Sequence, residues 1–325
     1  MPIQIPRRRA FLAAPLLLPA GVLAQGVPVN AAEEAMTALA ALPGTVSAFI
    51  AVDDPAGAWQ LGHRPDLPLF VGSAVKTFIL AAYLLAVQDQ GLSLAEQLPV
   101  NDEVRSLVSP VLDKLSGTLP ARMVLEAMIA HSDNTATDMA LRKVGVEAVR
   151  AVIVGAPVKD VRVPTSTRRL FSHLAGAPAG QDIGWEGAQA VMADRLPGPP
   201  RRIINDAETM VAPASALAAW YRYVLSGRLF TSETALAEFR RISSMADGLS
   251  FVIPPGIAAY GKGGSIVWQD ENALSLAGQM VVRGIPASFG FTYNWAGGPE
   301  TVPAATEAMI PAVRAVLRAV ASRIA

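Results

Sequence analysis

The alternation of apolar and polar positions predicts strands near both ends of the chain and helices between them. Residues 33–42 follow helical spacing. Residues 45–52 are rich in β-forming side chains, and the Asp-Asp-Pro-Ala-Gly turn at 53–57 leads into a short returning strand, so we expect a hairpin. From Ser73 to Gln90 the chain is apolar at helical spacing and then meets Gly91, which predicts a buried helix that begins at Ser73.

The rest of the chain is predicted to contain helices around the middle, then three strands, and a last helix. Two helical stretches flank residues 132–134, and residues 302–324 form a long, alanine-rich amphipathic pattern. The predicted strands cover residues 258–267, 274–283 and 287–293, and the last two are joined at Arg283-Gly284. We therefore expect an α+β fold, with an antiparallel sheet flanked by helices and a separate all-helical lobe.

Residues 162–206 have the least regular pattern in the chain. Glycines and prolines interrupt it repeatedly, ending in Pro197-Gly198-Pro199-Pro200. We expect a long loop here, and a loop of this length in a compact domain is usually functional or mobile.

The first 24 residues read as an export signal. Arg7-Arg8-Arg9 precede an apolar run from Phe11 to Leu23 that contains Pro15 and Pro19, and Val22-Leu23-Ala24 suits a cleavage site. A membrane anchor is the alternative, but the run is short and its prolines disfavour a spanning helix. The sequence therefore predicts a signal peptide over residues 1–24 of the twin-arginine type, a periplasmic or secreted location, and no stable membrane anchor after cleavage.

Composition narrows the function classes. The remaining residues, 25–325, are predicted to form a single two-lobed domain, since 52% of the chain is apolar and only 17% is charged. The formal net charge is zero, so nothing indicates a nucleic-acid partner. There is no cysteine, and the three histidines are not clustered, so we predict neither disulfide, metal site nor cofactor.

Three short motifs occur in the order that a serine acyl-transfer site needs. They are Ser73-Ala74-Val75-Lys76, Ser132-Asp133-Asn134 and Lys262-Gly263-Gly264. A serine at a helix start lies beside unpaired backbone N–H groups, and the spacing places Lys76 one turn further along the same face. A desolvated lysine loses its proton more easily and can act as a base. Each motif alone also fits a helix cap or a strand bulge, but their conjunction favours a nucleophilic serine.

The three motifs and their surroundings resemble the penicillin-recognising serine hydrolases, and within them the class A β-lactamases. The resemblance includes the stretch from His131 to Gly145 and the loop from Leu107 to Val111. It implies that family's fold, a small-molecule β-lactam or peptide-like substrate, and a monomer.

The same resemblance implies a role for each motif residue. Ser73 attacks the carbonyl and Lys76 takes or relays its proton. Ser132 passes a proton to the departing nitrogen, and Lys262 supplies positive charge. The substrate-binding residues would be Asn134, Gly263, Gly264 and Ser265, and the backbone N–H groups of Ser73 and Ser265 would form the oxyanion hole.

The chain departs from that family's pattern at two positions. Gly263 stands where the family usually has a hydroxyl residue that binds the substrate carboxylate. Thr167 stands where the family has the glutamate that activates the deacylating water. Glu186 and Glu208 are the candidate replacements. Three functions therefore stay open: a hydrolase that turns over β-lactams, a protein that captures them without useful turnover, and an esterase or amidase with a non-lactam substrate.

Overall fold

The computed structural model describes residues 30–324, and the predicted signal peptide over residues 1–24 lies outside them. The strands are β1 (Thr45–Val52), β2 (Trp59–His63), β3 (Leu69–Phe70), β4 (Gln97–Val100), β5 (Gly117–Pro120), β6 (Val211–Ala212), β7 (Ala258–Trp268), β8 (Glu271–Val282) and β9 (Ile285–Ala296). The helices are α1 (Ala31–Ala40), α2 (Lys76–Gln88), α3 (Ala121–Ala130), α4 (Asn134–Val144), α5 (Val146–Gly155), α6 (Thr167–Leu174), α7 (Gly184–Met192), α8 (Ala214–Leu225), α9 (Glu233–Ser243), α10 (Asp247–Ser250) and α11 (Val302–Ile324). Two 3-10 turns, Gly72–Val75 and Pro299–Thr301, precede α2 and α11.

Five strands form one antiparallel sheet in the order β2-β1-β9-β8-β7. The first and last strands of the described chain therefore meet in the sheet, where β1 pairs with β9 along its whole length. Every residue from Ala287 to Tyr293 is buried, so both faces of β9 are covered. Helix α8 packs closely on the sheet, because a Cβ at Gly290 would lie 2.5 Å from the Ala214 carbonyl oxygen.

The remaining helices form a second lobe around α2. All nine residues from Lys76 to Leu84 are buried, and a helix that is buried on every side lies in the interior of its lobe. Helices α4, α5 and α9 pack against it. The α+β prediction and the helical lobe are thus confirmed, and strand β7 at the sheet edge borders that lobe.

The predicted long loop contains more regular structure than its sequence suggests. Helices α6 and α7 both lie within residues 162–206. Arg168 stabilises this segment, because its buried guanidinium pairs with Asp182 and donates to the carbonyls of Asp102, Glu103 and Arg105. The expectation of an irregular loop was therefore wrong for these two helices.

No helix within residues 30–324 is long and apolar enough to span a membrane.

Candidate active site

Ser73 lies in the 3-10 turn that leads into α2, and contacts from three directions hold this turn. The Asn294 amide accepts from Phe70 N at 3.0 Å and donates to Phe70 O at 2.9 Å. Val71 N donates to Met210 O at 2.8 Å, and Ser275 Oγ donates to Val71 O at 2.6 Å. The backbone in front of the predicted nucleophile is therefore fixed to the sheet.

Two glycines allow β7 to approach the nucleophile turn closely. A Cβ at Gly264 would lie 2.6 Å from Ser73 N, and a Cβ at Gly72, whose φ is +51°, would lie 2.9 Å from Ser265 N. Both distances are shorter than real Cβ contacts. The segments that carry the Ser73 and Ser265 N–H groups therefore face each other, as an oxyanion hole built from these two donors requires.

Lys76 is the first residue of α2 and is fully buried. Its ammonium donates to Ser132 O at 2.6 Å, to Asn134 Oδ1 at 2.7 Å and to Ser132 Oγ at 3.3 Å. The first two motifs thus meet at one nitrogen atom.

The electrostatics around Lys76 favour its neutral form. Burial lowers the pKa of Lys76 well below its usual value, and the nearby Lys262 ammonium acts in the same direction. The buried carboxylates of Asp133 and Asp138 oppose this shift, but burial dominates. A neutral amine keeps two N–H bonds for its two shortest contacts and has a lone pair left to accept a proton.

Ser132 occupies the junction between α3 and α4. Its φ of +59° is uncommon for a residue other than glycine, and it turns the chain so that both its carbonyl and its hydroxyl reach Lys76. The next residue, Asp133, caps α4 by accepting from Ala136 N and also accepts from the N–H groups of Val111 and Leu112. The loop before the second motif is therefore tied to the cleft.

Asn134 uses both ends of its amide within the protein. Its oxygen accepts from Lys76, and its nitrogen donates to Leu107 O at 2.8 Å. The second N–H of the amide nitrogen is the one that could donate to a substrate.

Lys262 on β7 supplies the second buried ammonium and donates to Gly263 O at 2.9 Å. Burial lowers the pKa of Lys262 to about 7, although the Asp247 carboxylate acts to raise it. Asp247 in turn contacts His131, with His131 Nδ1 and Asp247 Oδ2 2.9 Å apart. Gly263 has no side chain to add a hydroxyl donor beside Lys262.

Thr167 begins α6 directly behind Asn134. Its fully buried hydroxyl lies 2.7 Å from Ser106 Oγ and 3.3 Å from the Asn134 carbonyl oxygen. Its backbone N–H donates to Asp138 Oδ1 at 2.6 Å, and its hydroxyl lies 2.9 Å from the same oxygen. The position that the resemblance assigns to a glutamate therefore lies beside the site, but it carries a hydroxyl.

The two candidate replacement carboxylates lie elsewhere. Glu186 is exposed in the first turn of α7. Glu208 is buried, accepts from Thr165 N at 2.7 Å and pairs with Arg169, so it holds the segment before α6. Within residues 30–324, neither glutamate is hydrogen-bonded to Lys76, Ser132 or Asn134. The role of Glu186 stays a prediction that its contacts do not support.

Sequence reasoning missed Asp138, which is the carboxyl group that does lie beside Thr167. Burial raises the pKa of Asp138 to about 6, against the lowering effect of the N–H groups of Thr167 and Arg168. Its position four residues after Asn134 on the same helix was an available signal, because residues at that spacing share a face. No group of acidic or histidine side chains within residues 30–324 is arranged to hold a metal ion.

Comparisons with known proteins identify the family and the fold. The sequence profile of the beta-lactamase enzyme family matches residues 31–233. Beta-lactamase L2 of Stenotrophomonas maltophilia is 33% identical over 138 residues, which are 41% of this chain and 46% of that protein, so the match spans about half of the relative's length.

Two solved structures show the same fold. The beta-lactamase from Sphaerobacter thermophilus superposes with a TM-score of 0.68 at 19% identity, over 90% of this chain and 95% of that one. A mutant of PBP-A, in acyl-enzyme complex with penicillin G, superposes with a TM-score of 0.66 at 17% identity, over 90% and 96% of the two chains.

Proposed function

The chain belongs to the beta-lactamase enzyme family, and on that basis we propose that it is a serine hydrolase acylated at Ser73 by β-lactam or related amide carbonyls. The observation that carries the proposal is the buried Lys76 amine, which contacts Ser132 and Asn134 and has a lowered pKa. This environment destabilises the charged ammonium of Lys76, and a general base needs the neutral amine that results.

The chemistry of acylation follows from these groups. Neutral Lys76 takes the Ser73 proton as Ser73 Oγ bonds to the substrate carbonyl carbon. The N–H groups of Ser73 and Ser265 stabilise the resulting oxyanion, a contribution of about 3–4 kcal/mol per donor. The bond to the leaving nitrogen then breaks, and Ser132 delivers a proton to that nitrogen from Lys76, which it contacts.

Deacylation is the slow half of the proposed reaction. The group beside Asn134 is Thr167, and a hydroxyl cannot take a proton from water as a carboxylate does. The acyl-enzyme should therefore accumulate. If no other base assists, deacylation becomes so slow that the protein captures a β-lactam without useful turnover.

Intact-protein mass spectrometry during exposure to a penicillin tests the proposal. We expect an adduct on the parent chain that forms within seconds to minutes and persists far longer. Ser73→Ala should form none, whereas Ser116→Ala, which removes an exposed serine hydroxyl elsewhere, should label like the parent. An adduct on Ser73→Ala would show that the nucleophile is wrong, and an adduct that disappears quickly would show that an unrecognised base is present.

Export by the twin-arginine route is a separate part of the proposal. It is supported by Arg7-Arg8-Arg9 ahead of a short apolar run. Replacing these three arginines by lysine should retain the full-length chain in the cytoplasm, as judged by cell fractionation and the mass of the product. An unchanged distribution would contradict this route.

A further inference from the structure

A cavity of about 340 Å³ opens beside Ser132 and Lys262 and continues between β7, β8 and α11. Its inner wall is apolar and includes Phe251, Val252, Leu276, Met309, Ile310 and Val313. An apolar cavity of about 150 Å³ is enough to bind benzene, so this one has room for an aromatic ring and a short chain.

Two glycines keep the passage into this cavity open. A Cβ at Gly263 would lie 3.7 Å from Leu276 Cδ1, and a Cβ at Gly248 would lie 3.3 Å from the same atom. Any longer side chain at either position would extend into the space in front of Leu276. Gly263, which lacks the hydroxyl group that the family resemblance leads us to expect, thus also borders the passage into the cavity.

The charges around the cavity disfavour an anionic occupant. Lys262 is the buried cation, but the Asp247 carboxylate, which is 60% exposed and contacts His131 at the cavity mouth, also lines the cavity and acts on Lys262. A substrate carboxylate placed beside Lys262 would therefore also meet the negative charge of Asp247. It would find no hydroxyl donor at Gly263 either, so it gains less here than an uncharged group does.

The cavity lies on the leaving-group side of the proposed reaction. Ser132 lines it, and Ser132 is the residue proposed to protonate the departing atom. Asn134, the proposed acyl-side contact, does not line it.

We propose that this cavity is a leaving-group subsite for an uncharged, apolar moiety, so that the substrates are esters or amides of apolar alcohols or amines. This inference rests on the proposed acylation of Ser73. In an ester, Ser73 Oγ bonds to the acyl carbon, the bond from that carbon to the alkoxy oxygen breaks, and the alkoxy oxygen leaves as the alcohol with the proton passed through Ser132. Water then hydrolyses the acyl-serine to the acid.

Equilibrium binding to the Ser73→Ala chain tests the subsite without chemistry. The probes are 4-phenylbutan-1-ol and its anionic counterpart 4-phenylbutyrate, titrated by calorimetry at neutral pH. We expect the alcohol to bind at least about fivefold more tightly than the carboxylate. A tighter carboxylate would overturn the inference.

Variants on α11 locate the binding. Ile310→Trp fills the cavity and should weaken binding of the alcohol about tenfold or more, an effect in the range of a lost apolar contact. Ala308→Trp adds the same ring at an exposed position of the same helix, outside the cavity, and should bind like the Ser73→Ala chain. Equal binding by both tryptophan variants would overturn the inference.

Two further variants guard against misfolding and test the charge argument. Phe251→Ala removes a half-exposed wall residue, which the fold should tolerate, and should weaken alcohol binding several-fold. Asp247→Asn should narrow the gap between the alcohol and the carboxylate. Unchanged alcohol binding by Phe251→Ala, or an unchanged difference between alcohol and carboxylate binding in Asp247→Asn, would contradict the assignment.

Acylation of the active chain by acetate esters completes the test. Benzyl acetate should exceed ethyl acetate by about tenfold in the second-order rate constant for acetylation of Ser73, followed by mass spectrometry, and Ile310→Trp should reduce this preference to near parity. If neither esters nor a penicillin acylate Ser73, the proposed function fails while the binding results still decide whether the subsite exists. If acylation occurs without a benzyl preference, only the subsite fails.

Discussion

Gly264→Ala should separate β7 from the nucleophile turn. The added Cβ would lie 2.1 Å from Val71 O, 2.6 Å from Ser73 N and 2.7 Å from Ala74 N. All three neighbours are backbone atoms, so rotation of a side chain cannot relieve the contact. Because real Cβ contacts essentially never fall below 3.0 Å, the two segments must move apart by about 0.9 Å.

That displacement sets the expected loss of activity. The Ser73 and Ser265 N–H groups must both point at one oxygen atom, and a shift of about 1 Å in such a constellation costs about 100-fold. Complete loss of one oxyanion donor costs about 100- to 1,000-fold, or about 2.7–4 kcal/mol of transition-state stabilisation. We therefore expect acylation to slow by about two to three orders of magnitude. Overpacking should also lower the free energy of unfolding by about 1–3 kcal/mol.

The neighbouring glycine provides a matched control. A Cβ at Gly263 would meet Ser275 O at 3.6 Å and Leu276 Cδ1 at 3.7 Å, which are ordinary contacts. Gly263→Ala should keep the thermal stability of the parent and lose no more than about threefold in acylation rate.

The assay is quenched-flow mass spectrometry of adduct formation, with whichever penicillin or ester labels the parent chain fastest. Each variant is first shown to be folded by circular dichroism. If folded Gly264→Ala acylates within about threefold of the parent, the close approach of β7 does not set the oxyanion geometry, and the reasoning is refuted.

Three further outcomes follow from the buried groups of the site. Lys76→Ala should slow adduct formation by about 100- to 10,000-fold, and Lys76→Arg should not restore it, because a guanidinium keeps its proton. The pKa of Lys262 is about 7, so its positive charge is present below that pH and lost above it. Acylation by a carboxylate-bearing penicillin should therefore decline as pH rises through 7, whereas acylation by an uncharged ester should not; parallel pH–rate profiles that both decline would contradict this assignment. Thr167→Glu combined with Asp138→Asn, which avoids two adjacent buried carboxylates, should shorten the lifetime of the acyl-enzyme about tenfold or more, as measured by the decay of its mass adduct. An unchanged lifetime would show that position 167 does not face the deacylating water.

The parts of the fold that depend on local pattern could be predicted from the sequence. The hairpin of β8 and β9 turns at Arg283-Gly284, and α11 covers residues 302–324, both as the spacing of apolar residues indicates. Helices α6 and α7 were missed because long-range contacts stabilise them. Arg168 binds carbonyls more than sixty residues away, and Gly176 lies so close to Gly198 that a Cβ would be 2.4 Å from its carbonyl carbon. Glycines that the sequence analysis took as signs of an irregular loop instead lie where two backbone segments approach each other closely.

The candidate site also has parts that the sequence could predict and parts that it could not. The motif serines and lysines could be named because each carries its chemistry in its own side chain and spacing. The cavity could not be predicted, because it depends on Gly248, Leu276 and Ile310 meeting from three separate elements. The opposing charge of Asp247 beside Lys262 likewise appears only when α10 packs against β7.

Asp138 is the remaining candidate for a deacylation base, and the sequence analysis did not identify it. Asp138 lies beside Thr167, and its pKa of about 6 would suit a base at neutral pH. A base must present a free oxygen to water, however. Oδ1 of Asp138 accepts from Thr167 N and lies 2.9 Å from the Thr167 hydroxyl, and Oδ2 accepts from Arg168 N. With both oxygens engaged and only 6% of the residue exposed, Asp138 holds the start of α6 and has no free oxygen to offer a water molecule. A persistent adduct is therefore the outcome that the geometry favours.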